Sequence, residues 1–191
     1  MTAILMVLLA QHAVISARAG MVTYTEGVVN TVANAHVGEG NSLITGPSGR
    51  AEIMLVPDSY LRILPYSSVL LESERLEHIV LKLGTGAAIA DINEIDDDLP
   101  IFVQLDGLEV RIQEKGLYLF EPDRVAVLEG ELELTEGRLR KGETLVRDNG
   151  TFSQVPLRSD IEAHPLVRWN ALRTEQLVAR RPRRQVRPFR F

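Results

Sequence analysis

The stretch Ile101-Phe102-Val103-Gln104-Leu105-Asp106-Gly107-Leu108-Glu109-Val110-Arg111-Ile112 decides the fold. Ile101, Val103 and Leu105 precede Asp106-Gly107, and Leu108, Val110 and Ile112 follow it, so apolar side chains recur at every second position on both sides. That period puts them on one face of an extended chain. Asp-Gly tolerates the positive φ that a two-residue reversal between strands demands. The stretch therefore reads as a β-hairpin with one buried face. Working outward, the same alternation marks strands at residues 52–56, 60–64, 79–83, 117–120, 125–128 and 131–134. They are joined by turn residues such as Pro57-Asp58-Ser59, Lys115-Gly116 and Asn149-Gly150. Joints this short leave no room for crossover helices, which disfavours an α/β fold.

A weak repeat supports stacking of such units. Glu26-Gly27-Val28-Val29 followed by Gly40-Asn41-Ser42-Leu43 is echoed by Glu129-Gly130-Glu131-Leu132 followed by Gly142-Glu143-Thr144-Leu145. Each glycine permits a tight reversal at positive φ. The fold expected is all-β, a solenoid-like or stacked-hairpin domain, with two ordinary hairpins of a sandwich or barrel as the plainer reading of the repeat. Past Ser159 the period changes. Pro165 opens a segment in which Leu166, Trp169, Leu172 and Leu177 share a side at helical spacing, with Arg168, Arg173, Glu175 and Gln176 assigned mostly elsewhere. This predicts a short amphipathic helix, with Trp169 as its anchor on the β body.

The two ends differ from the body. Residues 3–10 form an apolar run, and Ala17-Arg18-Ala19 precedes Gly20, the order of a secretory signal cleaved before Gly20, although no Lys or Arg precedes the run. The plainer reading is a buried N-terminal strand or helix. The run is too short for a permanent span, so no transmembrane segment is expected after cleavage. The other end carries Arg180, Arg181, Arg183, Arg184, Arg187 and Arg190 in its last twelve residues, against a net charge of −5 for the whole chain. Such a composition does not fold on its own. The expected organisation is a signal peptide at 1–19, a β domain at 20–157, a helix packed on it at 158–179 and an arginine-rich tail at 180–191.

Several chemistries lack their residues. Without cysteine there is no disulfide frame, thiolate metal site or thiol nucleophile. The four histidines are scattered, with no metal-ligand spacing. Asp91, Asn93, Glu94, Asp96, Asp97 and Asp98 invite a calcium reading, but Ile95 replaces a ligand and the turn glycine is missing. The run reads as a solvated acidic loop, with Asp96, Asp97 and Asp98 as a docking place for the arginine tail. Gly84-Thr85-Gly86 is not followed by a helix pattern, and Gly46-Pro47-Ser48-Gly49 is not a nucleophile elbow. No cofactor, metal or catalytic residue is expected. Aromatic residues make up only 5%, which argues against a base-stacking platform. For an exported arginine tail the expected targets are lipid headgroups, anionic glycans or acidic proteins rather than nucleic acid, with an inert solvated tail as the plainer reading.

Several segments resemble the FecR-type periplasmic domain family: Gly27-Val28-Val29; residues 37–43; Ile44-Thr45-Gly46-Pro47-Ser48-Gly49-Arg50-Ala51-Glu52-Ile53; Leu55-Val56-Pro57-Asp58-Ser59-Tyr60-Leu61-Arg62-Ile63-Leu64-Pro65-Tyr66-Ser67; Val125-Ala126-Val127-Leu128-Glu129-Gly130; and residues 139–145. The glycine that the family commonly carries between Asp58 and Ser59 is missing here. The resemblance implies an all-β, solenoid-like envelope domain. The best-known members relay an outer-membrane iron-chelate signal to a cytoplasmic sigma factor through a cytoplasmic helical region and one membrane span. Neither is expected here, so the chain is similar to the stand-alone, signal-bearing members. The expectation is a non-catalytic periplasmic or secreted module that binds an envelope protein or an anionic glycan or lipid surface, in signalling or assembly. Two alternatives are a glycan hydrolase using paired carboxylates, and a self-associating structural subunit.

Overall fold

A computed structural model of the chain describes residues 18–96 and 98–180. The chain runs through β1 (Met21–Glu26), β2 (Asn41–Ile44), β3 (Arg50–Val56), β4 (Ser59–Ile63), β5 (Ser68–Arg75), β6 (His78–Thr85), β7 (Ala88–Ile92) and β8 (Ile101–Leu105). It continues through β9 (Leu108–Ile112), β10 (Gly116–Glu121), β11 (Arg124–Glu129), β12 (Glu131–Leu134), β13 (Gly137–Arg140), β14 (Glu143–Asp148) and β15 (Thr151–Pro156). A single 3-10 turn (Ile161–Ala163) and the helix α1 (Pro165–Arg180) close the described chain.

The protein is all-β with one C-terminal helix, and its strands form two sheets. The eight-stranded sheet has the order β1-β3-β4-β7-β10-β11-β14-β15, and the seven-stranded sheet β13-β12-β9-β8-β6-β5-β2. Both orders follow the chain without reversal, because successive hairpins alternate between sheets. The β3–β4, β10–β11 and β14–β15 hairpins lie in the first sheet, and β5–β6, β8–β9 and β12–β13 in the second. Every pairing is antiparallel except β6 with β8. Of the two arrangements expected, the molecule is thus a stack of hairpins stepping from sheet to sheet. Neither sheet closes into a barrel.

The Glu-Gly pairs mark two of these steps. Gly27 (φ 67°) follows β1 and Gly130 (φ 86°) follows β11, and at both the chain leaves the eight-stranded sheet for the seven-stranded one. Gly130 is doubly constrained, since a Cβ there would lie 2.2 Å from the Tyr118 hydroxyl and 2.6 Å from the Lys115 carbonyl. The second half of the repeat is not equivalent, for Gly40 precedes a strand of the seven-stranded sheet and Gly142 one of the eight-stranded sheet.

The main core lies between the sheets. Ala51, Ile53, Leu61, Ile63, Ala88, Ala90, Tyr118, Phe120, Val125 and Val127 of one sheet face Leu43, Leu71, Ile79, Leu81, Ile101, Val103, Val110, Ile112 and Leu132 of the other. A smaller cluster of Ile89, Leu119 and Ala126 sits on the outer face of the eight-stranded sheet, where Leu166 and Trp169 of α1 cover it. Strand β7 is consequently buried along its whole length.

Candidate functional site

The outer face beneath α1 holds the one extensive buried polar cluster among the described residues. Period-two alternation turns Ile53, Leu61, Ile63, Ala90 and Ile92 into the core, so Glu52, Arg62 and Asp91 project the other way. Strand register then brings them together. Glu52 of β3 lies directly across from Arg62 of β4, and Asp91 of β7 pairs with Tyr60, two residues along. Arg62 Nε donates to Glu52 Oε2 at 2.6 Å, and its Nη1 donates to Asp91 Oδ2 at 2.7 Å and to Asn170 Oδ1. From α1, Arg173 Nη2 donates to Glu52 Oε1 at 2.7 Å, Thr174 donates to Asp91 Oδ2 at 2.8 Å, and Asn170 Nδ2 reaches the same oxygen at 3.3 Å. Thr23 of β1 donates to Glu52 Oε1 at 2.8 Å.

Glu52 and Arg62 are fully inaccessible, and Arg173 is 3% exposed. Burial alone would push the Glu52 carboxyl up; the hydrogen bond from Arg173 and the charge and hydrogen bond of Arg62 outweigh it, and the group is held below the ordinary carboxylate range. Aromatic contacts line the same face: Tyr24 packs on Trp169 with ring centroids 6.0 Å apart, and the Arg173 guanidinium stands 4.2 Å from the centre of the Tyr24 ring.

The helical face that makes these contacts keeps Leu166, Trp169 and Leu177 of the expected one but not Leu172. At about 100° per residue, Leu166, Trp169, Asn170, Arg173 and Leu177 share a side, while Leu172 is turned about 120° from Leu166. Leu172 is accordingly exposed, and Arg173, placed with the residues mostly off the apolar side, is buried. Asp91 is likewise no part of a solvated loop; it is the last residue but one of β7 and sits under α1.

Beside α1 runs an open groove of about 690 Å³ between the helix and the ends of β7 and β10. Ile92, Leu117, Ala171 and Val178 form apolar walls, and Lys115, Glu129 and Glu175 stand on the rim. Lys115 is paired with Glu94 at 3.2 Å. Asp91 also lines the groove, but its oxygens are taken up by Arg62, Asn170, Thr174 and Asn93. The buried acids Glu52, Glu74 and Asp91 all engage arginine, Glu74 through Arg18 at 2.7 Å. Among the described residues no group of three or more His, Asp or Glu is placed to hold a metal ion.

The other residues singled out from sequence are dispersed. Ala17 and His12 lie outside the described residues, as do Asp97, Arg181, Arg183, Arg184, Arg187 and Arg190. Ala19 is fully buried; its N–H donates to the Glu74 carbonyl and its own carbonyl meets His36 Nε2 at 2.9 Å. Gly20 follows at φ 102°, with its N–H on the Met54 carbonyl. Asp96 and Asp98 are exposed, and Asp96 Oδ1 accepts the Asp98 N–H. Arg180 ends α1 in solvent. His36 and His78 are exposed and apart from one another, and His164 is half-buried against Glu121.

Two solved structures share this fold. Both are crystal structures, at 1.65 Å and 2.50 Å, of a "putative anti-sigma factor" from Parabacteroides distasonis ATCC 8503. They superpose with a TM-score of 0.50, at 13% and 14% identity, over 63% of this chain and 61% of that one. This chain therefore matches less than two thirds of that protein's length. No family model matches the chain, and no curated protein sequence does.

The buried cluster was missed in the sequence because Glu52, Arg62 and Arg173 read as solvent-facing residues of alternating strands or a helix, and Asp91 as part of an acidic loop. One signal was available. Glu52 and Arg62 stand five residues either side of Pro57 in the turn, so a hairpin with that turn sets opposite charges face to face.

Proposed function

We propose that this chain is a FecR-type, non-catalytic module of the bacterial periplasm or cell surface that binds another envelope component in signalling or assembly. The observation that carries the proposal is the stack of hairpins alternating between two sheets. Over 63% of the chain this fold matches that of a protein described as an anti-sigma factor, and in this chain it carries the FecR-type segments on β2 to β4, β11, β13 and β14. The chemistry of the helix-covered face agrees. Its carboxylates are neutralised by arginine, Glu52 is shut from solvent and the oxygens of Asp91 are taken up by neighbours, which favours a role in holding α1 in place over one as acid and base. The surface offered to a partner is the groove beside α1, whose apolar walls and sparse charged rim have the make-up of a recognition site.

The test uses a photo-crosslinking side chain placed at Val178, which is 60% exposed on the groove, with Val32, 69% exposed and remote from it, as control. In living cells the expected result is an adduct with a cell-envelope macromolecule from position 178 that position 32 does not give, on an exported product whose N-terminus is Gly20. Intact chain beginning at Met1 in the cytosol, equal labelling from both positions, or glycan cleavage by the purified protein overturns the reading.

A further inference from the structure

Two sheets present four outer edges, and three are guarded. Beyond β1, residues 32–37 run alongside, with Val22 N–H on the Ala35 carbonyl and Asn34 N–H on the Val22 carbonyl. Beyond β2, Asn30 closes the ladder. Its N–H reaches the Ile44 carbonyl, and its side chain accepts the Ile44 N–H and donates to the Ser42 carbonyl, each at 2.8 Å. β13 has only four residues and carries Arg138 and Arg140, both paired with Glu131. Short length, charge and covering segments are the usual means of keeping a free edge from pairing.

The fourth edge has none of these. β15, Thr151-Phe152-Ser153-Gln154-Val155-Pro156, is six residues long, without a charge, and exposed at every position but Phe152. No hydrogen bond from the described residues reaches its outer side. The Leu157 N–H donates to the Gly142 carbonyl at 2.7 Å. Val155, Ser153 and Thr151, at alternate positions behind it, therefore turn their main chain toward β14, and Phe152 and Gln154 turn theirs outward.

We infer that β15 is a pairing edge, and that its occupant is the β15 strand of a second copy of this chain, antiparallel about a two-fold axis at Ser153. Three features select that partner and register. A two-fold axis normal to the sheet keeps inner faces with inner faces, so outward-turned residues must pair with outward-turned residues. Phe152 then exchanges both main-chain hydrogen bonds with Gln154 of the copy, twice over, while Ser153 faces Ser153 and Thr151 faces Val155. Sliding one pair either way brings Pro156, which has no N–H, into the ladder or pairs Gln154 with the turn residue Gly150. The strand is uncharged, so a copy meets no repulsion along it; at its ends Asp148 comes opposite Arg158 of the copy, whose guanidinium is already paired with Asp160 at 2.7 Å. The result is one continuous sheet across two molecules. This inference does not depend on the groove beside α1 or on its partner.

The test is a charge swap at the axis. Ser153 is exposed, so Ser153→Lys and Ser153→Glu leave the fold intact, which circular dichroism checks. At about 100 μM, a concentration that populates even a weak interface, light scattering should give a dimer for the unaltered protein, at low and high salt alike. Each variant alone sets like charges face to face and should dissociate at least tenfold more readily. Their equimolar mixture should recover the dimer at low salt. A monomeric unaltered protein, single variants that dimerise as well as it does, or a mixture that fails to recover overturns the proposal.

Discussion

Arg62 is the residue on which the outer face turns. It is fully buried between two carboxylates, and replacing it by methionine leaves Glu52 and Asp91 with their shared counter-charge gone. Breaking a buried pair in this way costs about 3–5 kcal/mol. Urea unfolding of Arg62→Met should show that loss, whereas Arg147→Met, at a partly exposed pair with Asp106, should cost less than about 1 kcal/mol. Glu52 also sets a pH dependence. Its folded pKa is depressed below 4.5, so the unfolded chain takes up the proton first as pH falls. The stability it contributes is complete above the unfolded value and is lost as pH drops through the folded one. Glu52→Gln should flatten the fall in stability below pH 4.5, measured as unfolding midpoints across pH; an unchanged slope would show that other acids carry it. At Gly130 the backbone dominates. Alanine must adopt φ 86° against the Tyr118 hydroxyl, so Gly130→Ala should destabilise by more than about 1 kcal/mol in the same assay.

Among the elements, α1 depends on both chemistries at once. Leu166 and Trp169 bury its first half on Ile89, Leu119 and Ala126, and Arg173 and Thr174 tie its second half to Glu52 and Asp91. Trp169→Ala removes the largest apolar contact, a loss of about 3–5 kcal/mol when fully felt. Because α1 lies outside the inter-sheet core, the consequence should be local. Hydrogen exchange of amides 169–180 should accelerate strongly while β3, β4 and β10 stay protected. Uniform acceleration across the sheets would show instead that helix and sheets unfold as one unit. The legibility of elements followed their environment. β8 and β9 were plain from alternation, since one face of each is partly exposed. β7 was missed because α1 covers one face and the second sheet the other, so Ala88-Ile89-Ala90-Asp91-Ile92 shows no alternation to read.

Over the whole molecule, charge is divided between body and tail. Without residues 180–191 the net charge moves from −5 to −11, so any attraction of the protein to an anionic surface is expected to come from the tail. Full-length protein should co-sediment with vesicles rich in anionic phospholipid at low ionic strength and release as salt rises. Protein ending at Ala179 should stay in the supernatant throughout, and equal sedimentation of the two would assign the attraction to the body. The candidate site belongs to this scale as well. Its polar residues come from β1, β3, β4, β7 and α1, and the link from Arg62 to Asn170 spans 108 positions.

Local sequence determined the strands, the turns at Asp106-Gly107 and Asn149-Gly150, and the presence of a C-terminal helix, because period, φ preference and turn chemistry act over a few residues. Tertiary structure alone decided that hairpins alternate between two sheets, which face α1 buries, and that Glu52, Arg62, Asp91 and Arg173 share one site. The physical reason is that an alternating pattern tells which residues leave the core, while only the packing of a second element on that outer face determines whether they meet water or one another.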